Sequence, residues 1–366
     1  MLVPPMVGAG LWWKFHRRLV WWEILLPSLV CVVVIFVLRS LVQYGLTRDT
    51  EYWTGWATHS EFHEEWVERR VETETYTENG KTKTREVVRY ITHPEEYWVY
   101  DSNEISIGVD RETYRTLEAR WNNSKRHTPF RFSASRNGDI FTTTWDGRRD
   151  SMEVVTTAHS FENRVVASEN LLDYPEVSDE EVKRYGLYRF PVIRDYYTAP
   201  AMLGTFGSGG HQAARLLDEY NALIGKTKQV RMWILVFNDQ DRTAGQLQEA
   251  LWKNGKMNDF VVCIGQREGK VSWAHVFGWT EAHGLKIDVR DAIERQSELD
   301  LVKAVEDTKR LVEGQWIRKD FKDFNYLDVP LPGWAVIVIW IVALAASGSM
   351  AYWTLHNEFA EPVVEG

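Results

Sequence analysis

The sequence has few cysteines and no excess of basic residues. Its 366 residues include two cysteines, Cys31 and Cys263, which excludes a framework of disulfides. So low a content is ordinary for a periplasmic domain and unusual for a eukaryotic extracellular one. The 43 Lys and Arg residues are outnumbered by 52 Asp and Glu residues, for a net charge of −9, and no basic stripe is present. Nucleic acid is therefore not an expected partner.

Charge is also nearly absent from one long run near each end of the chain. Residues 19–38 contain Glu23 as their only charged side chain, and residues 334–353 contain no acid or base. At about 1.5 Å per residue, a helix of either run crosses a hydrocarbon core of about 30 Å. Tryptophans flank both runs, as is typical of membrane interfaces. The sequence predicts two transmembrane helices; the alternatives are a cleaved signal peptide for the first run and a buried core helix for the second.

Basic residues next to the first run predict its orientation. Lys14, Arg17 and Arg18 precede it, and only Arg39 and Arg48 follow closely. The positive-inside rule places residues 1–18 in the cytoplasm. Two spans return the chain to the same side, so residues 355–366 form a cytoplasmic tail and residues 47–330 are extracytoplasmic.

The first part of this exterior region, residues 47–203, is predicted to be rich in β-structure. Asn79-Gly80 between two alternating runs indicates a hairpin, in which Glu78 faces Lys81 and Glu74 faces Arg85. Further strands are expected at residues 130–135, 140–145 and 151–157. Helices are expected at residues 112–121 and 178–185, the second with Ser178 and Glu181 as a capping box.

The second part, residues 204–330, alternates helices with apolar strands, which predicts an α/β layered domain covered on both faces. The expected helices are residues 212–224, residues 244–253 and one long helix over residues 288–311. The expected strands are residues 230–237, 260–265 and 271–278.

This second part resembles the TPM domain family. The similarity rests on the order helix, strand, helix, on the string Trp252-Lys253-Asn254-Gly255-Lys256, and on Asn258-Asp259 leading directly into the next strand. The glycine-rich string that the family has after the third strand is reduced here to Phe277-Gly278-Trp279. The resemblance implies phosphatase activity, divalent-cation binding or maintenance of a membrane complex. The remainder is similar to uncharacterised membrane proteins of phages and bacteria through Glu51-Tyr52-Trp53 and His93-Pro94-Glu95.

The expected fold class is therefore α+β and membrane-anchored. Two transmembrane helices flank an exterior β-rich region and an α/β layered, TPM-like domain. In the second helix Ala343, Ser347 and Ala351 recur every four residues. This small-residue stripe permits close approach of the first helix or of a neighbouring subunit. The alternative is a small surface that faces lipid.

Two groups of side chains are candidate ligands for a divalent cation. On a helix His59 and His63 would lie one turn apart on one face, where Glu64 or His93 would supply a third ligand. The alternative is a solvated amphipathic segment. Asp239 and Asp241 follow the apolar strand 230–237, at whose carboxyl end a hard cation would find oxygen ligands. There the alternative is a polar turn in which one aspartate caps the following helix.

No complete catalytic constellation is evident in the sequence. We therefore expect a protein without catalytic activity, in which the exterior domain binds or scaffolds a membrane assembly. Its expected partners are the bilayer and either another protein or a second copy associating through the transmembrane helices. The alternative is a membrane-tethered, metal-dependent phosphohydrolase that uses Asp239 and Asp241.

Overall fold

The computed structural model of the chain describes residues 21–78, 80–121, 125–129, 138–168, 174–196, 199–206 and 208–356. Its α-helices, in chain order, are α1 (Trp21–Thr47), α2 (Arg111–Trp121), α3 (Arg164–Ala167), α4 (Asp179–Arg184), α5 (Ser208–Lys228), α6 (Thr243–Trp252), α7 (His283–Glu294), α8 (Leu301–Gln315) and α9 (Gly333–His356). Short 3₁₀ helices lie at Arg149–Ser151 and Phe321–Phe324. The expected strand at residues 130–135 lies outside the described residues.

The strands belong to three sheets. In chain order they are β1 (Arg48–His63), β2 (Trp66–Glu78), β3 (Lys81–His93), β4 (Glu96–Asp101), β5 (Ser106–Gly108), β6 (Arg126–Thr128), β7 (Ile140–Thr144), β8 (Val154–Glu162), β9 (Met202–Leu203), β10 (Arg231–Asn238), β11 (Asp259–Arg267) and β12 (Lys270–Gly278). One sheet has the order β5-β4-β1-β7-β6 with β8 also paired to β1, a second has the order β12-β11-β10-β9, and β2 and β3 form a two-stranded ribbon. The fold is thus mixed α+β, with an apolar helix towards each end and β-sheets between them.

The chain divides into two compact units. The first comprises residues 1–49, 160–173 and 320–366, and the second comprises residues 50–159 and 174–319. Both the β-rich region and the α/β layered region fall mainly within the second unit.

In the first unit α1 and α9 pack against each other as an antiparallel pair. The Ser347 hydroxyl donates to the Pro27 carbonyl at 3.0 Å near one end, and the Gln43 amide donates to the Val329 carbonyl at 3.2 Å near the other. The contact face of α9 carries a buried residue at every fourth position: Ala335, Ile339, Ala343, Ser347 and Ala351. The predicted small-residue stripe therefore faces the first helix of the same chain, because small side chains let two backbones approach closely.

In the second unit the four-stranded sheet forms the larger core. β10 runs parallel to β9 and to β11, and β12 pairs antiparallel to β11. Residues 231–237 of β10 are all buried, as expected for a strand covered on both faces. The core cluster also takes apolar side chains from α5, α6, α7 and α8. A smaller core beside β1 includes Leu117 and Trp121 of α2.

Two local predictions are confirmed in detail. The ribbon pairs Glu78 with Lys81 and Glu74 with Arg85, and Gly80 has a positive φ of 72° in the turn. A two-residue turn with positive φ fixes the register of the strands that it joins. The capping box of α4 is present, with the Ser178 hydroxyl accepting from the Glu181 N–H at 3.2 Å.

The single long helix predicted over residues 288–311 is wrong, because α7 and α8 are separate. The Asp300 side chain accepts from the Lys303 N–H at 3.0 Å and caps α8, and the Gln296 side chain accepts from the Asp300 N–H at 3.1 Å. The Leu299 N–H donates to the Gly269 carbonyl in the β11–β12 turn. These bonds satisfy the backbone outside a helix and outweigh the helical periodicity.

Candidate functional site

The outer surface of the α1–α9 pair is apolar over most of its length. Phe36 of α1 is 70% exposed and Ile341 of α9 is 61% exposed, and their neighbours on the same surface are also large and apolar. Mostly small residues, together with Ile339, thus lie inside the pair, and most large apolar residues lie outside, the reverse of the pattern of a water-soluble helix pair. Both helices are long and apolar enough to cross a membrane.

Polar contacts begin where α1 nears its end. The Arg48 guanidinium lies 5.1 Å from the ring centroid of Tyr44, which is itself exposed. Arg164 donates to the Asn325 carbonyl at 3.0 Å beside a pocket of about 220 Å³ that also includes Gln43. Aromatic and basic side chains at the end of an apolar helix are typical of a membrane–water interface.

The predicted ligands His59 and His63 lie on β1, so the segment is a strand and not a helix. They share a face with Glu61, because alternate strand residues point to the same side. The His63 Nε2 lies 3.1 Å from a Glu61 carboxylate oxygen, and the Tyr100 hydroxyl donates to the same oxygen at 3.2 Å. The bond with His63 is the main reason that the pKa of Glu61 is below its usual range. His59 stacks on Tyr100 with ring centroids 4.3 Å apart.

The strand geometry separates the two histidines. Four strand residues span about 13 Å, whereas one zinc ion needs both nitrogens at about 2 Å. The third predicted ligand, His93, lies on β3, where it stacks on Trp66 and sits 3.0 Å from a Glu68 oxygen. Within the described ranges, no group of three or more His, Cys, Asp or Glu residues is arranged to hold a metal ion. Metal binding by these histidines stays a prediction.

Asp239 and Asp241 follow β10, as expected, and their contacts are those of a turn. Asp239 has a φ of 56°, and its exposed side chain lies 3.9 Å from Arg267. The Asp241 side chain accepts from the Thr243 N–H at 2.9 Å in the first turn of α6. Asp259 lies at the other end of the parallel strands, opposite Arg231 in the register. Asp241 lies one residue before the N-cap Arg242 and accepts from the first residue of α6, as in a capping turn, and cation binding there stays a prediction.

A polar cluster that the sequence did not reveal joins α6 to β12. The His275 Nε2 lies 2.7 Å from one Glu249 oxygen, and the Tyr174 hydroxyl donates to the other at 3.2 Å. Burial raises the pKa of Tyr174. A Cβ on Gly245 would lie 2.7 Å from the His275 Cβ, so only glycine permits this approach of α6 to β12. Tyr174, Glu249 and His275 are far apart in the sequence, so local patterns do not predict their contact. Gly245 alone indicates a close approach of α6 to another segment.

Burial of the nearby Cys263 thiol limits the chemistry of this cluster, because solvent does not reach the sulfur. Cys263 is opposite His275 in the β11–β12 register, but the thiol is buried and its pKa is raised well above the usual value by burial. A buried, protonated thiol is a weak nucleophile. Lys286 of α7 has a pKa lowered by burial, which the nearby charge of Glu249 opposes. Glu249 and His275 have the arrangement of an acid–base pair, and the thiol beside them is shielded from solvent.

A buried guanidinium joins the two larger sheets of the second unit. Arg231, the first residue of β10, donates to the hydroxyls of Thr54 on β1 at 3.0 Å and of Thr156 on β8 at 3.2 Å. It also donates to the Ala199 carbonyl at 2.8 Å, and its guanidinium carbon lies 4.5 Å from the Trp233 ring centroid. Arginine keeps its charge in proteins, so these contacts replace its lost hydration.

Two carboxyls near Arg231 have raised pKa values. Burial raises the pKa of Asp218 to about 6 and that of Asp259 to about 6, although the charge of Arg231 acts in the opposite direction. Asp218 accepts from the Ala201 N–H at 3.2 Å, and Asp259 accepts from the Trp233 indole N–H at 2.9 Å. Desolvation of the charged form exceeds the attraction to the guanidinium at both positions.

No protein-family model matches the chain, and no curated protein or solved structure is significantly similar to it.

Substitution of Asp241 distinguishes a helix cap from a metal ligand. Asp241→Ala should lower the free energy of unfolding by about 1 kcal/mol, because the Thr243 N–H loses its acceptor. Asp241→Asn keeps an acceptor and should stay within about 0.5 kcal/mol of the original protein. Urea unfolding followed by tryptophan fluorescence, with and without Mg²⁺, measures both. Stabilisation by Mg²⁺ that either substitution abolishes would instead identify a cation ligand.

Stability should rise on mild acidification because of Asp218 and Asp259. Their ordinary pKa is 3.8 and their native pKa is about 6, so the native state binds protons more tightly than the unfolded chain between these values. Their contribution to stability is full below about pH 4 and is lost as the pH rises through about 6. From about pH 8 to about pH 5 the expected gain is on the order of 2 kcal/mol.

The matched variant for this test is Asp218→Asn, which keeps an acceptor for the Ala201 N–H but cannot titrate. Its gain over the same pH range should be smaller by on the order of 1 kcal/mol. Contributions from histidines cancel in the comparison. An identical pH dependence in the two proteins would contradict the assignment.

Proposed function

We propose that this chain is an integral membrane protein with two transmembrane helices, α1 and α9, whose folded region between them is an extracytoplasmic binding or scaffolding module. The observation that supports the membrane role is the apolar outer surface of the helix pair. A continuous apolar surface of that length marks a membrane or protein contact rather than a surface in water. Because each helix uses one narrow face for its partner, the rest is left for lipid.

The two alternatives to membrane insertion fit the helix pair less well. A core helix of a soluble protein is mostly buried, yet only 11% of the most apolar window of α1 and 28% of that of α9 are buried. A cleaved leader would leave α9 without the partner that covers Ser347 and Ala343. Burial of Cys31 on the facing side of α1 also favours a permanent pair.

The binding role is supported by the form of the second unit. Its conspicuous exposed feature is the ribbon β2–β3, which pairs with no other strand among the described residues. The expected orientation rests on Lys14, Arg17 and Arg18, which favour a cytoplasmic amino-terminal segment and an extracytoplasmic module.

Lysine substitutions on the outer surface of the helices test membrane insertion. Phe36→Lys and Ile341→Lys should each reduce the membrane-integrated fraction of the chain, since a lysine near the middle of a span costs about 2.5–3.5 kcal/mol on insertion scales. The matched control is Val192→Lys in the second unit, where the native side chain is 81% exposed. Resistance to carbonate extraction measures integration. Equal integration of all three variants would contradict the proposal.

Cysteine labelling tests the orientation. Val192→Cys supplies an exposed thiol, whereas the native Cys31 and Cys263 are both buried. A membrane-impermeant maleimide should label this variant in intact spheroplasts of a bacterial expression host and leave the unsubstituted chain unlabelled. Labelling of Val192→Cys that requires permeabilisation would place the module in the cytoplasm.

A further inference from the structure

The ribbon formed by β2 and β3 is long and stands apart from the other sheets. Each strand has 13 residues, a length of about 40 Å, and the strands pair in register from Trp66–His93 to Glu78–Lys81. Neither strand is hydrogen-bonded to a further strand in the described part of the chain. A two-stranded ribbon is only marginally stable in water unless one of its faces is covered.

The two faces of the ribbon differ in chemistry. One face carries a network of ion pairs in which Arg70, Arg85 and Arg89 contact glutamates of β2. Val87 and Ile91 on this face are only partly exposed. The charged side chains of this face therefore form ion pairs within the ribbon itself.

The opposite face, which we call the threonine–valine face, is exposed at every position. It is formed by the odd-numbered residues 67–77 of β2 and the even-numbered residues 82–92 of β3. Val71 is 47%, Val88 is 41% and Tyr90 is 70% exposed. Apart from Arg69 and Glu86, these residues are uncharged and mostly β-branched, which suits packing against another pleated surface.

A basic and an acidic residue flank the Val71–Val88 pair on this face. Three consecutive cross-strand pairs of the face are Arg69–Tyr90, Val71–Val88 and Thr73–Glu86. Arg69 and Glu86 form no ion pair with any other described residue, and within one ribbon they are about 14 Å apart. They flank the valine pair on opposite sides and on opposite strands.

We propose that the threonine–valine face is the surface through which two copies of this chain pair. The ribbons pack face to face and antiparallel, about a twofold axis that passes over the Val71–Val88 pair. This pairing names a second copy as the partner in the proposed binding role, on which it rests. It does not depend on membrane insertion.

The arrangement of charge selects both the partner and the direction of packing. The antiparallel twofold axis brings Arg69 of one copy beside Glu86 of the other, and symmetry repeats this contact. Packing with the ribbons parallel would instead place Arg69 against Arg69 and Glu86 against Glu86. The valines of the two copies meet at the axis, where apolar area is removed from water. A surface that complements itself in this way fits a second copy better than an unrelated protein.

Cross-linking of the full chain in detergent micelles tests the location of the contact. In Val71→Cys two thiols face each other across the axis, so a short bismaleimide should produce covalent dimers. The matched control is Glu72→Cys, the neighbouring residue on the ion-pair face, where the two thiols point away from each other. The native cysteines are buried. Equal cross-linking at both positions, or none at position 71, would overturn the proposal.

Charge reversal tests the partner and the register. Arg69→Glu or Glu86→Arg creates two like-charged contacts per dimer and should weaken dimerisation by about tenfold or more. The double variant Arg69→Glu/Glu86→Arg restores both contacts and should return to within about threefold of the original affinity. Sedimentation of the full chain in micelles measures the dissociation constant.

Each other outcome counts against the pairing. A chain that is monomeric at all concentrations leaves this face to a different protein and overturns the proposal. A dimer that resists both single reversals and gives no cross-link at position 71 is held elsewhere, for example by α1 and α9, and also overturns it. Neither result affects membrane insertion, because carbonate extraction of the helix variants measures that separately.

Discussion

The second unit depends on the burial of one charge, the guanidinium of Arg231. A charge removed from water costs several kcal/mol unless hydrogen bonds replace its hydration, and here two threonine hydroxyls and a backbone carbonyl do so. Because Thr54 and Thr156 belong to the six-stranded sheet and Arg231 begins the central strand of the other sheet, neither sheet satisfies this group alone. Packing of the two sheets therefore satisfies the guanidinium, and burial of Asp218 and Asp259 themselves raises their pKa values against the opposing charge of Arg231.

The first unit has the opposite problem: most of the large apolar side chains of its two helices are exposed and need an apolar environment. α1 and α9 share a narrow face of small residues in which Ser347 finds an acceptor at Pro27. Ile339 is a large side chain on this face, and most other large apolar side chains of the pair are exposed. In a membrane this arrangement needs no further cover, because lipid solvates the apolar side chains and the helices satisfy their own backbone groups.

Local patterns predicted several elements correctly because the responsible interactions span only a few residues. The hairpin turn that contains Gly80 determines the register of the ribbon, and Ser178 with Glu181 begins α4. Other elements depended on distant partners. Residues 59–63 carry polar groups at a spacing that suits a helix as well as a strand, and pairing with β4 and β7 decides for the strand. The break between α7 and α8 likewise depends on the Gly269 carbonyl, which the local pattern does not contain.

Four features could be predicted from the sequence alone: the two apolar helices, the small-residue stripe of α9, the hairpin register and the apolar strands of the four-stranded sheet. Each of these follows from the periodicity or turn chemistry of neighbouring residues. Contacts between distant segments are visible only in the folded chain: Glu249 contacts His275 and Tyr174, Arg231 lies against Thr54, and one face of the ribbon is left uncovered. A periodic pattern predicts that a side chain is buried, but it does not predict which residue contacts it, because that contact depends on the packing of distant segments.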